Sequence, residues 1–79
     1  MKYNVGDKVT IRHDAIEDES YTMDDGARSN VINSYMMIYR GELATVTEAE
    51  WNYKIDLDNG CWNWTDNMFK DEPKYLIEY

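Results

Sequence analysis

The chain has 79 residues, which makes one domain whose folding hides about 63% of its surface and leaves little room for a deep cofactor pocket. A hydrophobic fraction of 43% and an aromatic fraction of 14% exclude wholesale disorder. Sixteen acids against eight scattered bases give a net charge of -8, which disfavours direct binding to nucleic acid or to an anionic membrane.

Val5-Gly6-Asp7-Lys8 reads as a turn feeding a strand over residues 8–12, because Val9 and Ile11 alternate with Lys8, Thr10 and Arg12. Residues 13–27 form an acidic excursion that carries Asp14, Glu17, Asp18, Glu19, Asp24 and Asp25. The apolar residues among them, Ala15, Ile16, Tyr21 and Met23, fit no clean period. So long an excursion in so small a domain is either a solvated loop or a functional one. Residues 28–40 read as an inserted helix. Val31, Tyr35 and Ile38 make one stripe and Ile32, Met36 and Tyr39 a second, with Ser29 or Asn30 as cap and Gly41 as terminator.

A second strand follows over residues 42–47, and a third over 53–57, where Tyr53, Ile55 and Leu57 alternate with Lys54, Asp56 and Asp58 and leave these on the outward face. Asp58-Asn59-Gly60 is a tight-turn signal, since Asn-Gly supplies the positive φ angles of a hairpin. Residues 61–64 return as a fourth strand, with Trp62 and Trp64 on one face. Thr65 or Asp66 begins a short helical turn, and residues 70–79 form a tail or closing strand beyond it. Five short strands, tight turns and one inserted helix predict a mainly β fold: a single small SH3-like barrel spanning residues 1–79.

The candidate chemistry is that of binding. His13 and Cys61 are the single histidine and the single cysteine, and nothing in their spacing brings them together as a catalytic pair. A lone cysteine excludes an internal disulfide and any multi-cysteine zinc site. Asp56, Asp58 and Gly60 resemble the opening of a calcium loop. However, Cys61 and Asn67 stand where that loop needs glycine and glutamate. We therefore expect no enzyme, no catalytic residue, no metal and no cofactor. Tyr53, Trp62 and Trp64 either anchor the core or form an exposed aromatic face for a peptide or nucleic acid. The start of the chain shows no secretory signal, and no apolar run approaches the ~20 residues that span a bilayer. The expected location is the cytoplasm.

Three segments carry a resemblance: Tyr3 to Asp14; Met36, Tyr39 and Gly41 with Ala44–Thr47; and Tyr53 to Gly60 with Trp62 to Phe69. Over residues 3–69 the chain resembles small, mostly uncharacterised proteins of phages and prophages in low-GC Gram-positive bacteria. The resemblance implies an SH3-like barrel and a phage setting in a bacterial host cell, and no particular activity. Combined with the charge, it suggests an interaction module that inhibits or modulates a host nucleic-acid-handling protein, such as a CRISPR nuclease, a restriction enzyme or a repressor. The partner would offer a basic surface. Asp14, Glu17, Asp18, Glu19, Asp24 and Asp25 would mimic phosphate charge, with Tyr21 and Met23 as apolar anchors. The alternatives are direct binding through the aromatic face and a structural or accessory phage component.

Overall fold

Alternation of Val9 and Ile11 with Lys8 and Thr10 builds the first strand, and similar short runs recur along a mainly β chain. The computed structural model describes residues 2–70. Its strands are β1 (Lys8–Ile11), β2 (Ser20–Thr22), β3 (Ser29–Val31), β4 (Leu43–Ala49), β5 (Tyr53–Ile55) and β6 (Phe69–Lys70). Four of them form an antiparallel sheet in the order β5-β4-β1-β6, and β2 and β3 pair as a separate hairpin. Val9 faces Ala44 across the β1–β4 ladder, and Ile11 faces Phe69 on the other edge of β1. All four side chains are buried.

The β4–β5 pairing slips between Val46 and Glu48, so β4 carries one extra residue. Such a bulge bends its strand and adds twist, which helps the sheet curl around the core. It also resets the alternation. Ala44 and Val46 point inward, and beyond the slip it is Ala49 that packs against the core.

The helix expected over residues 28–40 does not form. Residues 29–31 are β3, and only Met36–Tyr39 coil, as a short 3-10 turn. Of the two apolar stripes, Ile32 and Met36 are buried, whereas Val31, Tyr35 and Ile38 are exposed. The cause is local. Asn33 uses its side-chain oxygen (2.9 Å) and its carbonyl (3.1 Å) to accept from the Met36 N–H, which starts a turn at Asn33 and not at Ser29. Ser, Asn and β-branched Val in the preceding residues favour the extended pairing. Gly41 ends the coil as expected, at a positive φ of 79° with its N–H on the Ile11 carbonyl.

Asn59 and Gly60 take the positive φ angles that the turn signal predicts, 56° and 74°. The fourth strand is nevertheless reduced to a single bridge between Tyr53 and Trp64. Asp58 explains this. Its carboxylate accepts from the Gly60 and Trp62 backbone N–H groups and from the Trp64 indole, at 3.0, 3.2 and 3.0 Å. The side chain thereby holds the Trp62 backbone N–H in the turn, while the Gly60 N–H is shared with the Ile55 carbonyl of β5 at 3.1 Å. Asp58 is also buried, not turned outward as the alternation implied.

The predicted helical turn is present at Asp66–Met68. The Met68 N–H bonds the Thr65 carbonyl, and Phe69 then enters β6. The tail or closing strand expected over residues 70–79 lies outside the described residues apart from Lys70, which pairs opposite Thr10.

Trp64, Tyr53, Ile11, Ile32, Met36, Ile55 and Met68 fill the centre. Tyr3, Tyr53, Trp64 and Phe69 form one aromatic cluster with ring centroids 5.7–6.1 Å apart. The Tyr53 hydroxyl accepts the Tyr3 N–H at 3.0 Å, and burial pushes the phenol pKa upward. Among the described residues no helix is long and apolar enough to cross a membrane.

Candidate functional site

The acidic excursion is organised around the β2–β3 hairpin. Ahead of β2, the Asp18 N–H bonds the Ile32 carbonyl at 2.7 Å and the Glu19 N–H bonds the Ile16 carbonyl at 3.1 Å. The Ile32 N–H returns to the Glu19 carbonyl at 3.3 Å. Asp18 sits at a φ of 69°, a conformation that Asp tolerates better than most residues. This ties the backbone of residues 16–19 to the chain beyond β3. The side chains of Glu17, Asp18 and Glu19 all face solvent, and none makes an ion pair among the described residues.

The other expected acids differ. Asp14 lies 2.7 Å from the Arg12 guanidinium and 3.4 Å from the Lys70 ammonium. The Arg12 hydrogen bond, with help from Lys70, holds its carboxyl well below the usual carboxylate range. Asp24 pairs with Lys2 at 3.7 Å. Asp25 is exposed and accepts the Ala27 N–H within the hairpin loop. Tyr21 is a correction: it is buried and so cannot anchor a partner. Its hydroxyl accepts the Ile16 N–H at 3.2 Å, and Arg12 covers its ring at 5.1 Å from the centroid. Met23 is likewise core.

Asp66 fastens the hairpin loop to the rest of the domain by accepting the Asp24 N–H at 2.8 Å. Burial raises its pKa, and the nearby Asp24 charge adds to this. A folded-state pKa above the unfolded one means that this group's contribution is fully present below the unfolded value, about 3.9. It is lost as pH rises through the folded value. Asp66→Asn keeps an acceptor for Asp24 without the charge. Its thermal midpoint should gain on the wild type as pH rises from about 4 to 7. Parallel pH profiles for the two proteins would refute this.

The expected aromatic face is also redrawn. Tyr53 and Trp64 are 0% exposed and belong to the core. Only Trp62 reaches the surface, where its ring stacks parallel to Tyr35 at 5.8 Å and 9°. Tyr35 and Ile38, at 68% and 72% exposure, were concealed in the sequence by the helix reading, which placed both on an inward stripe. The Asn33-Ser34 pair was the signal that turns them outward. With Tyr39, Asp58, Cys61 and Trp62 they line a shallow groove of about 290 Å³. A second, polar hollow of about 250 Å³ lies over Arg28, Ser29, Asn30, Asn52 and Asn63.

His13 is exposed where β1 ends, and Cys61 is an exposed free thiol in the groove lining. Among the described residues no group of three His, Cys, Asp or Glu side chains is placed to hold a metal ion. The Asp58 oxygens are taken by three N–H donors, and an Asp56 oxygen accepts the Thr45 N–H. The arrangement leaves two distinct features at the surface, a carboxylate-bearing turn and an aromatic groove. The chain matches no family model, no curated protein and no solved structure.

Proposed function

We propose that this is a non-enzymatic, phage-type interaction module of the host cytoplasm. Its acidic turn occupies the basic groove of a host protein that handles nucleic acid, and so inhibits or modulates it. The observation that carries this reading is the set of three consecutive exposed carboxylates, Glu17, Asp18 and Glu19, on a turn tied by backbone hydrogen bonds. Charges held on a fixed backbone lose less entropy on binding than charges on a loose loop. A chain of net charge -8 also steers itself toward a cationic cleft over about one Debye length, roughly 8 Å at physiological salt. A CRISPR nuclease, a restriction enzyme and a repressor all present such a cleft.

An SH3-like barrel would supply the frame. The hairpin inserted between β1 and β4, the curled sheet and the short 3-10 turn feeding β6 support that assignment.

The test is affinity capture from a low-GC Gram-positive lysate with wild type and with the triple variant Glu17→Gln/Asp18→Asn/Glu19→Gln. Wild type should retain a nucleic-acid-binding protein that duplex DNA displaces and that salt elutes. The variant should lose most of that retention yet melt within a few degrees of wild type, because all three side chains are exposed. Equal retention by both proteins, or a captured protein that DNA does not displace, would overturn the proposal.

A further inference from the structure

Three rings of this protein, the buried Tyr3 and Tyr21 and the exposed Trp51, have a cation over one face. Lys2 lies over Tyr3 at 5.5 Å, Arg12 over Tyr21 at 5.1 Å and Arg28 over Trp51 at 4.1 Å. Each of these aromatic faces is thus covered by a cation from the chain itself. The Tyr35–Trp62 stack has no such cover among the described residues, although Tyr35 is 68% exposed.

The setting of that stack favours positive charge. The groove it walls has one carboxylate, Asp58, and no base in its lining. Arg40, which follows the 3-10 turn, directs its Nε back to the Met37 carbonyl at 3.2 Å. Aromatic faces attract a guanidinium or ammonium through the ring quadrupole, and a nearby acid reinforces that attraction. Ile38, 72% exposed beside the stack, offers an aliphatic surface to the stem of a long cationic side chain or to its apolar neighbour. At about 290 Å³ the groove is at the small end of ligand pockets, so it suits one or two side chains and not a whole cofactor.

The geometry points to a peptide-docking groove: the Tyr35–Trp62 stack and Ile38 receive an arginine or lysine and an adjacent aliphatic residue from an extended segment of a partner protein. The Asp58 carboxylate fixes the wall by holding the Trp62 N–H, and gives the groove its sign. The groove shares no residue with the Glu17–Glu19 turn, so each surface can be disabled while the other is kept.

The experiment uses the full chain and a randomised decapeptide array. Selected peptides are then titrated in solution and followed by amide chemical shifts. Bound sequences should carry arginine or lysine next to an aliphatic residue or proline, and their shifts should centre on Tyr35, Ile38 and Trp62. Replacing the selected base with glutamate should weaken binding at least tenfold. Tyr35→Ala and Ile38→Ala should do the same with little change in melting temperature, and the Glu17/Asp18/Glu19 triple variant should bind as wild type does. Four outcomes would overturn the inference: an array with no binder above background, selected peptides that are acidic or uncharged, shifts that centre elsewhere, or concentration-dependent dimerisation that buries Tyr35 and Ile38 against a second copy.

Discussion

Trp64→Ala is expected to cost about 4 kcal/mol and to leave the domain largely unfolded at 37 °C. The indole is 0% exposed, stacks on Phe69 with centroids 6.1 Å apart, and meets Tyr39 edge-on at 6.3 Å. Truncating a buried aromatic to Ala typically costs 3–5 kcal/mol, because the lost transfer energy is joined by a cavity that the surroundings fill only in part. A domain of this length has a total stability of roughly 4–12 kcal/mol, so the loss is a large share of it. At about 4–8 °C per kcal/mol for a domain this small, the midpoint should fall by roughly 15–30 °C in thermal circular dichroism. Trp62→Ala is the matched control. That side chain is half-buried at the groove rim, and its loss should lower the midpoint by only a few degrees. Similar midpoints for the two variants would contradict the assignment of Trp64 to the core and Trp62 to the surface.

That contrast shows which features the sequence could convey. Trp62 and Trp64 stand two apart, and a period of two assigns both to one face. They separate because the chain between them is not a strand. Asp58 reaches forward to the backbone at Gly60 and Trp62 and to the Trp64 indole, and a side chain that binds ahead along its own chain is invisible to hydrophobic periodicity. The strands that alternate on one buried face were legible: β1 from Val9 and Ile11, β4 from Ala44 and Val46, and β5 from Tyr53 and Ile55. The Asn59-Gly60 turn was legible because its left-handed backbone favours those two residues.

The β2–β3 hairpin was not legible. Its six paired residues run Ser-Tyr-Thr and Ser-Asn-Val, and only Tyr21 is buried. Strands so short and so polar leave too few apolar positions to establish a period. The same weakness let Val31, Tyr35 and Ile38 pass for a helical stripe, when the Asn33 turn sets the direction of all that follows. The surfaces followed suit. The acids were visible as composition, but which of them are neutralised was not. Asp14 is covered by Arg12 from two residues back and by Lys70 from across β1, a pairing that only the fold creates.

Asp58→Ala should be the second severe substitution, costing about 3 kcal/mol. Hydrogen bonds to a charged acceptor are worth roughly 1.5–3 kcal/mol each, but part of this returns when water reaches the freed backbone groups at the turn. The Trp64 indole N–H gains least from that relief, because its side chain is 0% exposed and packs against Phe69 and Tyr39. The bond between the two side chains is therefore the most costly to break from one end only. Trp64→Phe removes the donor and preserves most of the ring volume, so the double variant Asp58→Ala/Trp64→Phe leaves no orphaned indole. Urea denaturation of the four proteins should show the double variant to be less destabilised than the sum of the singles by about 1–2 kcal/mol, the coupling expected for directly bonded partners. Additive losses would mean that Asp58 stabilises the turn through the Gly60 and Trp62 amides alone. Asp58→Asn separates the two contributions further. Its carbonyl oxygen can serve one side of the network, whereas its amide must face an N–H donor on the other. It should therefore fall between wild type and the alanine variant: a carbonyl at the Oδ2 position keeps both the Trp62 N–H and the Trp64 indole, and the Gly60 N–H is the donor that loses its acceptor.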